Sequence, residues 1–355
     1  MDRKPGGGWS GPHPISSRKK VMVDYKKEKD MEKAIKIYKT GGPEVMIFED
    51  YDPGPPGPGQ ALIRHEGIGV NFIDIYHRSG LYPVPSLPAI IGMEGAGIVE
   101  AVGEGVDEVA VGDRVAYAGL PPGAYVQARL IPAHRLVRLP AGISSRQAAG
   151  MMLRGMTARY LLHGCYPVKS GDTILVHAAA GGVGTILSQW AGHLGAKVIG
   201  TVGSARKAEI ARANGCDEVI LYQEEDFPAR VKEITGGLGV AVVYDSVGQA
   251  TFMKSLDCLR PMGMMVSFGQ SSGSVPPFDL GILGAKGSLF LTRPSLMTYT
   301  EKREDLLVHA HDLFEVVQKG AVRIEIGQSY PLAEVAQAHR DMEARKTTGS
   351  TILIP

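Results

Sequence analysis

The sequence predicts an α/β protein in which a β-barrel-like unit comes before a doubly wound parallel sheet. From Ala34 to about Leu139, short apolar or alternating runs are separated by clusters of glycine and proline, a pattern typical of all-β units. From Asp172 onward, strands alternate with helices at the spacing of βαβ units, which predicts a parallel sheet covered by helices. A length of 355 residues is enough for two such domains.

Six short strands are predicted in the first unit, separated by turn-forming residues. The clearest separator is the proline- and glycine-rich stretch 52–59, which would interrupt any strand ladder. The predicted strands are Ala34–Tyr38, Val45–Tyr51, Ala61–Gly69, Gly97–Val102, Arg114–Tyr117 and Tyr125–Leu130. A helix over Ser144–Leu162, with Ser144 or Ser145 as its N-cap, leads into the next unit.

The second unit begins with a buried strand, Thr173–Ala179, and a helix whose apolar positions run from Val183 to Leu194. Gly195 is expected to end this helix in the left-handed conformation. The further predicted strands are Lys197–Val202, Glu218–Tyr222, Val240–Asp245, Met264–Gly269 and Leu289–Thr292, with Ser204 and Asp226 as N-caps of two intervening helices. The tail is predicted to return to the first domain through helices Leu306–Gln318 and Leu332–Glu343 and strands Val322–Ile326 and Thr351–Ile354.

The charge of the chain is balanced but unevenly distributed. Lys and Arg number 38 and Asp and Glu 37, so the net charge gives no reason to expect nucleic acid or an acidic membrane as a partner. Residues 1–30 hold eight basic and four acidic residues, which leaves the rest of the chain mildly acidic. We expect residues 1–30 to be a disordered extension. The alternative is a nucleic-acid-binding arm, which is less favoured because Trp9 and Tyr25 are its only aromatic residues.

The cysteines and the lengths of the apolar runs indicate where in the cell the protein is expected. Cys165, Cys216 and Cys258 are far apart and form no CxxC pair, which argues against a disulfide framework and against a four-cysteine zinc lobe. No run of 18 apolar residues occurs, and the N-terminus lacks the apolar segment of a secretory signal. We therefore expect a cytoplasmic protein without a membrane segment.

A glycine-rich turn is predicted between the first strand and the first helix of the parallel unit. Residues 178–184 read Ala-Ala-Ala-Gly-Gly-Val-Gly, an A-x-x-G-x-x-G pattern. Small residues let a pyrophosphate approach the backbone, where the free N–H groups and the dipole of the helix hold it. The strand–turn–helix context favours dinucleotide binding over a purely structural turn.

The segment after the second parallel strand indicates which dinucleotide binds. NAD sites usually place an acidic residue there on the ribose hydroxyls, but residues 197–208 contain no acid. They contain Gly203, Ser204, Arg206 and Lys207, whose hydroxyl and cations would hold a 2′-phosphate, and Tyr222 could close the same pocket. The predicted cofactor is NADPH, and the alternative is that the two cations form a solvated helix face.

Three other motifs have residue types found in catalytic or metal sites, but their sequence context does not favour either function. Residues 269–273 match the G-x-S-x-G elbow of hydrolases, but prolines follow where a helix is needed. His309 and His311 are two residues apart on a predicted helix and so do not share a face. His177 lies within a predicted buried strand, where a hydrogen-bonded core histidine is expected. No metal site is predicted.

The order of the two units, together with several stretches, resembles the medium-chain dehydrogenase/reductase superfamily. Within it the chain is similar to the NADPH:quinone oxidoreductases of the zeta-crystallin type, especially the bacterial members. The stretches that carry the resemblance are 41–45 (GGPEV), 71–76 (NFIDIY), 78–83 (RSGLYP), 177–184 (HAAAGGVG), 243–248 (VYDSVG) and 292–296 (TRPSL). The resemblance covers residues 31–355. It implies a GroES-like β-barrel catalytic domain over 31–155, rejoined by 297–355, and a Rossmann nucleotide-binding domain over 156–296.

The zinc ligands of the alcohol dehydrogenases in this superfamily are replaced here. Asn71 stands where those enzymes have a cysteine, and Gly92-Met93-Glu94 stands where they have Gly-His-Glu. Asn and Met are poor zinc ligands, and the segment that would carry the structural zinc cysteines is missing. The resemblance therefore implies a zinc-independent reductase.

The resemblance also assigns the site. Asn71, Tyr76 and Tyr82 are expected beside the nicotinamide and the acceptor, where Asn71 and Tyr82 can donate hydrogen bonds to a carbonyl oxygen that gains charge. The alternative is that these residues only shape the cleft. The expected cofactor contacts are Phe72, Ile73, Asp74, Ile75, Tyr76, Thr157, Tyr160, Gly181, Gly182, Val183, Gly184, Gly203, Ser204, Arg206, Lys207, Tyr222, Ser246, Phe268, Gly269, Gln270, Ser271, Leu291, Thr292, Arg293 and Arg345.

Three functions remain open from the sequence. The first is hydride transfer from NADPH to a quinone, which needs no strong Lewis acid. The second is reduction of α,β-unsaturated carbonyls on the same scaffold. The third, from a different class, is a nucleotide- or RNA-binding protein without relevant turnover. The resemblance further implies a homodimer, formed through edge strands of the nucleotide domains.

Overall fold

The computed structural model describes residues 31–355, so the extension predicted at 1–30 lies outside the described residues. The first part of the described chain consists mainly of strands. Its elements are β1 (Glu32–Ile37), β2 (Met46–Tyr51), β3 (Gln60–Val70), α1 (Phe72–Ser79), β4 (Ala89–Ile90), β5 (Glu94–Val102), β6 (Arg114–Ala118), β7 (Ala128–Pro132) and β8 (Val137–Arg138). Glycine- and proline-rich turns separate these strands, as the sequence predicts.

The middle of the chain begins with two helices and then alternates strands with helices. Its elements are α2 (Ser145–Ala149), α3 (Met152–Tyr160), β9 (Thr173–His177), α4 (Gly182–His193), β10 (Lys197–Val202), α5 (Ala205–Ala213), β11 (Glu218–Leu221), α6 (Phe227–Ile234), β12 (Val240–Asp245), α7 (Phe252–Leu256), β13 (Leu259–Ser267), α8 (Gly281–Ala285) and β14 (Phe290–Thr292). The helix predicted over Ser144–Leu162 is thus divided. Gly150 ends its first part, where the Ser350 hydroxyl donates to the Gly150 carbonyl at 2.5 Å.

The last part of the chain contains α9 (Leu296–Tyr299), α10 (Arg303–Gln318), β15 (Ile326–Pro331), α11 (Val335–Glu343) and β16 (Ser350–Ile354). The strand predicted over Val322–Ile326 is wrong, because the strand begins where that prediction ends. The apolar Val322 instead closes the end of α10: its N–H donates to the Val316 carbonyl at 3.1 Å, and its side chain is buried in the core.

The predicted caps are confirmed only in part. The Ser204 hydroxyl accepts from the Lys207 N–H at 3.4 Å, and Gly195 after α4 has φ of +86°. Asp226 occupies the N-cap position of α6 without a side-chain capping bond, and its carboxylate accepts from Lys254 Nζ at 3.0 Å instead.

Six of the strands form a parallel sheet in the order β11-β10-β9-β12-β13-β14. In chain order this is 3-2-1-4-5-6, the doubly wound arrangement, whose order reverses between β9 and β12. Residues along β9 alternate between the two faces: Ile174 and Val176 belong to one core cluster and Leu175 to another. Such a sheet is buried on both sides, which explains its nearly continuous apolar strands.

The strands of the first part form a seven-stranded sheet that also includes the end of the chain. Its order is β15-β16-β3-β5-β6-β8, with β7 also paired to β3, and a smaller sheet has the order β2-β1-β4. Thr351 of β16 lies opposite Val70 of β3, so the tail returns to the first sheet as predicted. The division of the chain at 155/156 and 296/297 stays a prediction. Within residues 31–355, no helix combines the length and apolar character needed to cross a membrane.

Candidate active site

A cavity of about 540 Å³ lies along the carboxyl ends of the parallel strands. This is the edge at which doubly wound sheets bind ligands, because the strand order reverses there and leaves a crevice. The predicted site residues that line it are Asn71, Phe72, Ile73, Tyr76, Tyr82, Thr157, Tyr160, Gly181, Gly182, Val183, Gly184, Gly203, Lys207, Tyr222, Ser246, Phe268, Gly269, Ser271, Arg293 and Arg345. The structure therefore brings residues of the first, middle and last parts of the chain to one cavity.

The remaining predicted contacts do not line this cavity. They are Asp74, Ile75, Ser204, Arg206, Gln270, Leu291 and Thr292. Asp74 and Ile75 are buried on α1, and the hydroxyl of Ser204 is used to cap α5. Arg206 is exposed and lies outside the cavity. This position fits the alternative interpretation, in which Arg206 belongs to a solvated helix face.

The glycine turn between β9 and α4 is shaped as a cradle. A Cβ on Gly184 would lie 2.4 Å from the Ala178 carbonyl oxygen, and a Cβ on Gly182 would lie 2.4 Å from Arg154 Nε. Both residues line the cavity, where α4 begins and its first N–H groups have no helical partner. The turn thus has the small residues and free donors that a pyrophosphate requires.

One end of the cavity carries two cations. Lys207 Nζ donates to the Arg345 carbonyl at 2.7 Å, and Arg345 Nη1 donates to the Tyr222 hydroxyl at 3.2 Å. Burial, and then the neighbouring charges of Arg345 and Arg206, lower the pKa of Lys207. Among residues 31–355, no carboxylate forms an ion pair with Lys207 or Arg345. This end is suited to an anion.

Two tyrosines lie at the other end. The Tyr76 hydroxyl accepts from the Gln270 N–H at 3.2 Å, and the Tyr82 hydroxyl accepts from Arg293 Nη2 at 3.2 Å. The two rings meet edge to face, with centroids 5.1 Å apart. Burial raises the pKa of Tyr76 to about 12, so its phenol stays protonated at neutral pH. Each of the two hydroxyl groups can also act as a hydrogen-bond donor to a ligand.

Asn71 lies in a buried polar cluster next to the tyrosines. Its Nδ2 donates to Glu94 Oε2 at 2.8 Å, and Arg154 Nη1 donates to the same oxygen at 3.2 Å. The N–H of Leu153 donates to the other carboxylate oxygen at 2.8 Å. Burial raises the pKa of Glu94, and Arg154 opposes this effect. One Nδ2 hydrogen of Asn71 remains for a ligand.

Sequence reasoning missed Arg154 and Glu94, although Arg154 lines the cavity beside the glycine turn. The sequence did offer a signal, because Arg154 lies within the apolar run 151–156. An arginine buried in such a run needs a partner for its charge. The other lining residues were not singled out as site residues, although some lie within the stretches that carry the family resemblance. They are Leu153, Ala178, Ala180, Val202, Val247, Pro294, Ser295, Leu296, Met297, Met342, Glu343, Thr347, Gly349 and Thr351.

Asp74 supports the site from behind. It accepts from the Asn71 N–H at 2.8 Å and from the Tyr125 hydroxyl at 2.9 Å, which fixes the first turn of α1. Tyr125 also contacts His339 Nε2 at 2.9 Å. Complete burial raises the pKa of Asp74 to about 7. Asp74 is thus placed to hold α1 in position, and it does not line the cavity.

The alternative motifs have structural roles. His177 is buried in β9 between the Thr201 hydroxyl at 2.7 Å and the Ser255 hydroxyl at 2.9 Å, as expected for a core histidine. Residues 269–273 form a turn with no helix before α8. In the part of the chain that the structure describes, no group of three or more His, Cys, Asp or Glu side chains could hold a metal ion, and Met93 is buried.

Comparisons with known proteins agree with this architecture. A family model described as the alcohol dehydrogenase GroES-like domain matches residues 57–141, and one described as zinc-binding dehydrogenase matches residues 182–305. These two models define the class: a dehydrogenase with a GroES-like domain and a parallel-sheet nucleotide domain. The predicted fold class is confirmed.

Individual relatives give a narrower family. A quinone oxidoreductase of Pseudomonas aeruginosa is 51% identical over 92% of this chain and 100% of its own length. A 2-haloacrylate reductase of a Burkholderia species is 48% identical over 90% of this chain and 98% of its own. The crystal structure of an Escherichia coli quinone oxidoreductase complexed with NADPH has a TM-score of 0.89 and 50% identity, over 91% of this chain and 100% of that one. The chain belongs to the quinone oxidoreductase family, and the predicted resemblance is confirmed.

Proposed function

We propose that this protein is a zinc-independent reductase that transfers hydride from NADPH to a quinone. The observation that carries the proposal is the pair of cations, Lys207 and Arg345, at one end of a dinucleotide-sized cavity, with no carboxylate paired to them within residues 31–355. The two relatives that are named quinone oxidoreductases, one of them complexed with NADPH, support the same assignment.

The residues present fit this cofactor. Gly181–Gly184 and the first N–H groups of α4 would hold the pyrophosphate, because a Cβ on Gly184 would obstruct the turn. Lys207, Arg345 and Tyr222 would hold the 2′-phosphate through charge-assisted hydrogen bonds. When bound, the nicotinamide supplies a hydride at its C4 atom.

Asn71, Tyr76 and Tyr82 would bind and orient the acceptor. The free Nδ2 hydrogen of Asn71 and the hydroxyl of Tyr82 can donate to a quinone oxygen as it gains negative charge, which stabilises that charge. The neutral phenol of Tyr76 contributes an apolar ring and a hydroxyl. No dedicated general base is assigned, and the proton that completes the hydroquinone would come from solvent in the cavity.

A second candidate function is reduction of an activated carbon–carbon double bond. The observation that favours it is the 48% identity to the Burkholderia 2-haloacrylate reductase. Hydride would add to the β-carbon and a proton to the α-carbon of such a substrate. Both candidates use the same cavity and the same cofactor.

Steady-state oxidation of NADPH and of NADH with a panel of quinones and enones tests these proposals. Turnover of quinones with a strong preference for NADPH supports the first candidate, whereas activity on enones alone supports the second. Tight binding of NADPH without turnover of any acceptor would favour a nucleotide- or RNA-binding protein.

The assembly and location also belong to this proposal. We propose a homodimer formed at β14, which lies at the edge of the parallel sheet and exposes 56% of Phe290. Light scattering at several concentrations tests the homodimer. A cytoplasmic location is supported by three free cysteines, and the nearly neutral charge argues against a nucleic-acid partner.

A further inference from the structure

Arg293 lines the cavity with an exposed side chain whose guanidinium makes two hydrogen bonds to the protein. It follows β14, and its Nη1 donates to the Ser267 carbonyl at 2.7 Å while its Nη2 donates to the Tyr82 hydroxyl at 3.2 Å. These two bonds anchor the group to the end of β13 and to the segment after α1. A guanidinium has five N–H donors, so donors remain that have no other partner among the described residues.

The charge of Arg293 has no paired carboxylate in the part of the chain that the structure describes. Arg154, which also lines the cavity, is paired with Glu94 at 3.2 Å. Arg78 on α1 is paired with Glu343 at 2.6 Å. By contrast, no carboxylate within residues 31–355 forms an ion pair with Arg293. An unpaired cation in a crevice raises the local concentration of anions.

The position of Arg293 places it far from the phosphate groups of the cofactor. The cations proposed for the 2′-phosphate lie over β10 and β11, and β11 is five strand spacings from β14, about 24 Å. The glycine turn follows β9, three spacings from β14, about 14 Å. Arg293 therefore remains available for an acceptor that would lie beside Tyr76 and Tyr82.

We infer that Arg293 determines acceptor specificity by favouring acceptors that carry a carboxylate or sulfonate beside the reducible group. This inference rests on the proposed function, because the acceptor is defined by it. The anion would receive the free guanidinium N–H bonds, and the reducible group would lie against the tyrosine rings. A planar guanidinium held at two points matches the geometry of such oxyanions.

The test compares charged and neutral acceptors of similar shape on the full-length protein with NADPH. One pair is 2-chloroacrylate and 2-chloroacrylamide, and the other is 1,2-naphthoquinone-4-sulfonate and 1,2-naphthoquinone. The preference is the ratio of kcat/KM for the anion to that for the neutral compound, measured for the native protein and for Arg293→Gln. Comparing the two proteins removes differences in intrinsic reactivity between the compounds.

Two variants serve as controls. Arg293→Lys keeps the charge and should retain part of the preference. Arg146→Gln removes an exposed arginine that lies outside the cavity and has no ion-pair partner in the described chain, so it controls for net charge. Binding of naphthalene-2-sulfonate and naphthalene-2-sulfonamide to the NADP⁺-loaded protein, measured by calorimetry, gives a readout that does not depend on turnover.

We expect Arg293→Gln to reduce the preference on the order of tenfold, and Arg146→Gln to leave it unchanged. Added salt should reduce the preference of the native protein. Equal effects of Arg293→Gln on anionic and neutral compounds, in turnover and in binding, would overturn the inference while quinone turnover upheld the proposed function. Charge-selective binding without turnover of any acceptor would support the anion site and overturn the proposed function.

Discussion

The side-chain amide of Asn71 donates to the buried carboxylate of Glu94 at 2.8 Å, and this bond sets the orientation of Asn71 in the cavity. Because Glu94 also accepts from Arg154, the carboxylate is held from both sides and cannot rotate freely. The remaining Nδ2 hydrogen of Asn71 is therefore held in a fixed direction. Such preorganised donors are effective at stabilising developing charge, since they need no reorientation during the reaction.

Replacing Asn71 with Ala should lower kcat for quinone reduction by about 10- to 100-fold, because one donor to the acceptor oxygen is lost. KM for NADPH should change by less than about threefold, since the cofactor phosphates are held elsewhere. Steady-state kinetics with one quinone measures both quantities. A variant with native kcat would show that Asn71 only shapes the cleft.

Glu94→Ala should lower the free energy of unfolding by about 3–5 kcal/mol, because Arg154 then stays buried without its ionic partner. Urea denaturation followed by tryptophan fluorescence measures this loss. The double variant Glu94→Leu/Arg154→Met removes both charges and should lose less than Glu94→Ala. If the two variants lost the same unfolding free energy, the unpaired charge of Arg154 would not be the cause of the destabilisation.

Lys207→Glu should raise KM for NADPH by at least about tenfold and change KM for NADH much less, since a contact to the 2′-phosphate becomes repulsion. Arg206→Glu is the matched control, because Arg206 is exposed and does not line the cavity. Its effect should be small. Similar effects of Lys207→Glu on the two cofactors would refute the assignment of the phosphate end.

Gly184→Ala should weaken NADPH binding and cost about 1–3 kcal/mol of stability, because the new Cβ would lie 2.4 Å from the Ala178 carbonyl and force the backbone to move. Gly284→Ala is the control: this glycine is in α8, and a Cβ there meets nothing within 4 Å. It should be neutral or slightly stabilising. Fluorescence titration with NADPH and thermal melts compare the two variants.

The parts of the fold that depend on local patterns could be predicted from the sequence. The βαβ alternation gave the parallel sheet, and the boundaries of β10 and β12 agree with the predicted strands. The division of the helix at Gly150 was not predicted, and the side-chain hydrogen bond that the Gly150 carbonyl accepts there comes from Ser350, 200 residues away, where no local pattern shows it. Val322 was misassigned for a related reason: a buried valine suits both a strand and the end of a helix.

In the candidate site, too, residues marked by a local pattern could be predicted, whereas contacts between distant parts of the chain could not. The glycine turn and Lys207 were found because a short motif or a missing acid marks them. The partnership of Arg154 with Glu94 joins residues 60 positions apart, and no local pattern connects them. The local sequence also did not distinguish the exposed Arg206 from Lys207, which reaches Arg345 near the end of the chain.

Asp74 makes stability depend on pH in a defined direction. Its pKa is about 7 in the folded protein, above the ordinary value of 3.8, so the folded state binds its proton more tightly than the unfolded state. The carboxyl therefore imposes no penalty below about pH 4, and it destabilises the fold progressively as the pH rises from about 4 to 7. Asp74→Asn cannot ionise, and its side-chain oxygen can still accept from Tyr125 and the Asn71 N–H.

We therefore expect the difference in unfolding free energy, Asp74→Asn minus native, to increase between pH 4 and pH 7 and to level off above pH 7. The slope cannot exceed about 1.4 kcal/mol per pH unit for one group. Urea denaturation of both proteins at pH 4.5, 5.5, 6.5 and 7.5 measures the difference. A constant difference across this range would show that Asp74 has an ordinary pKa in the folded protein, and a decreasing one would show that the buried carboxylate is favoured in its charged form.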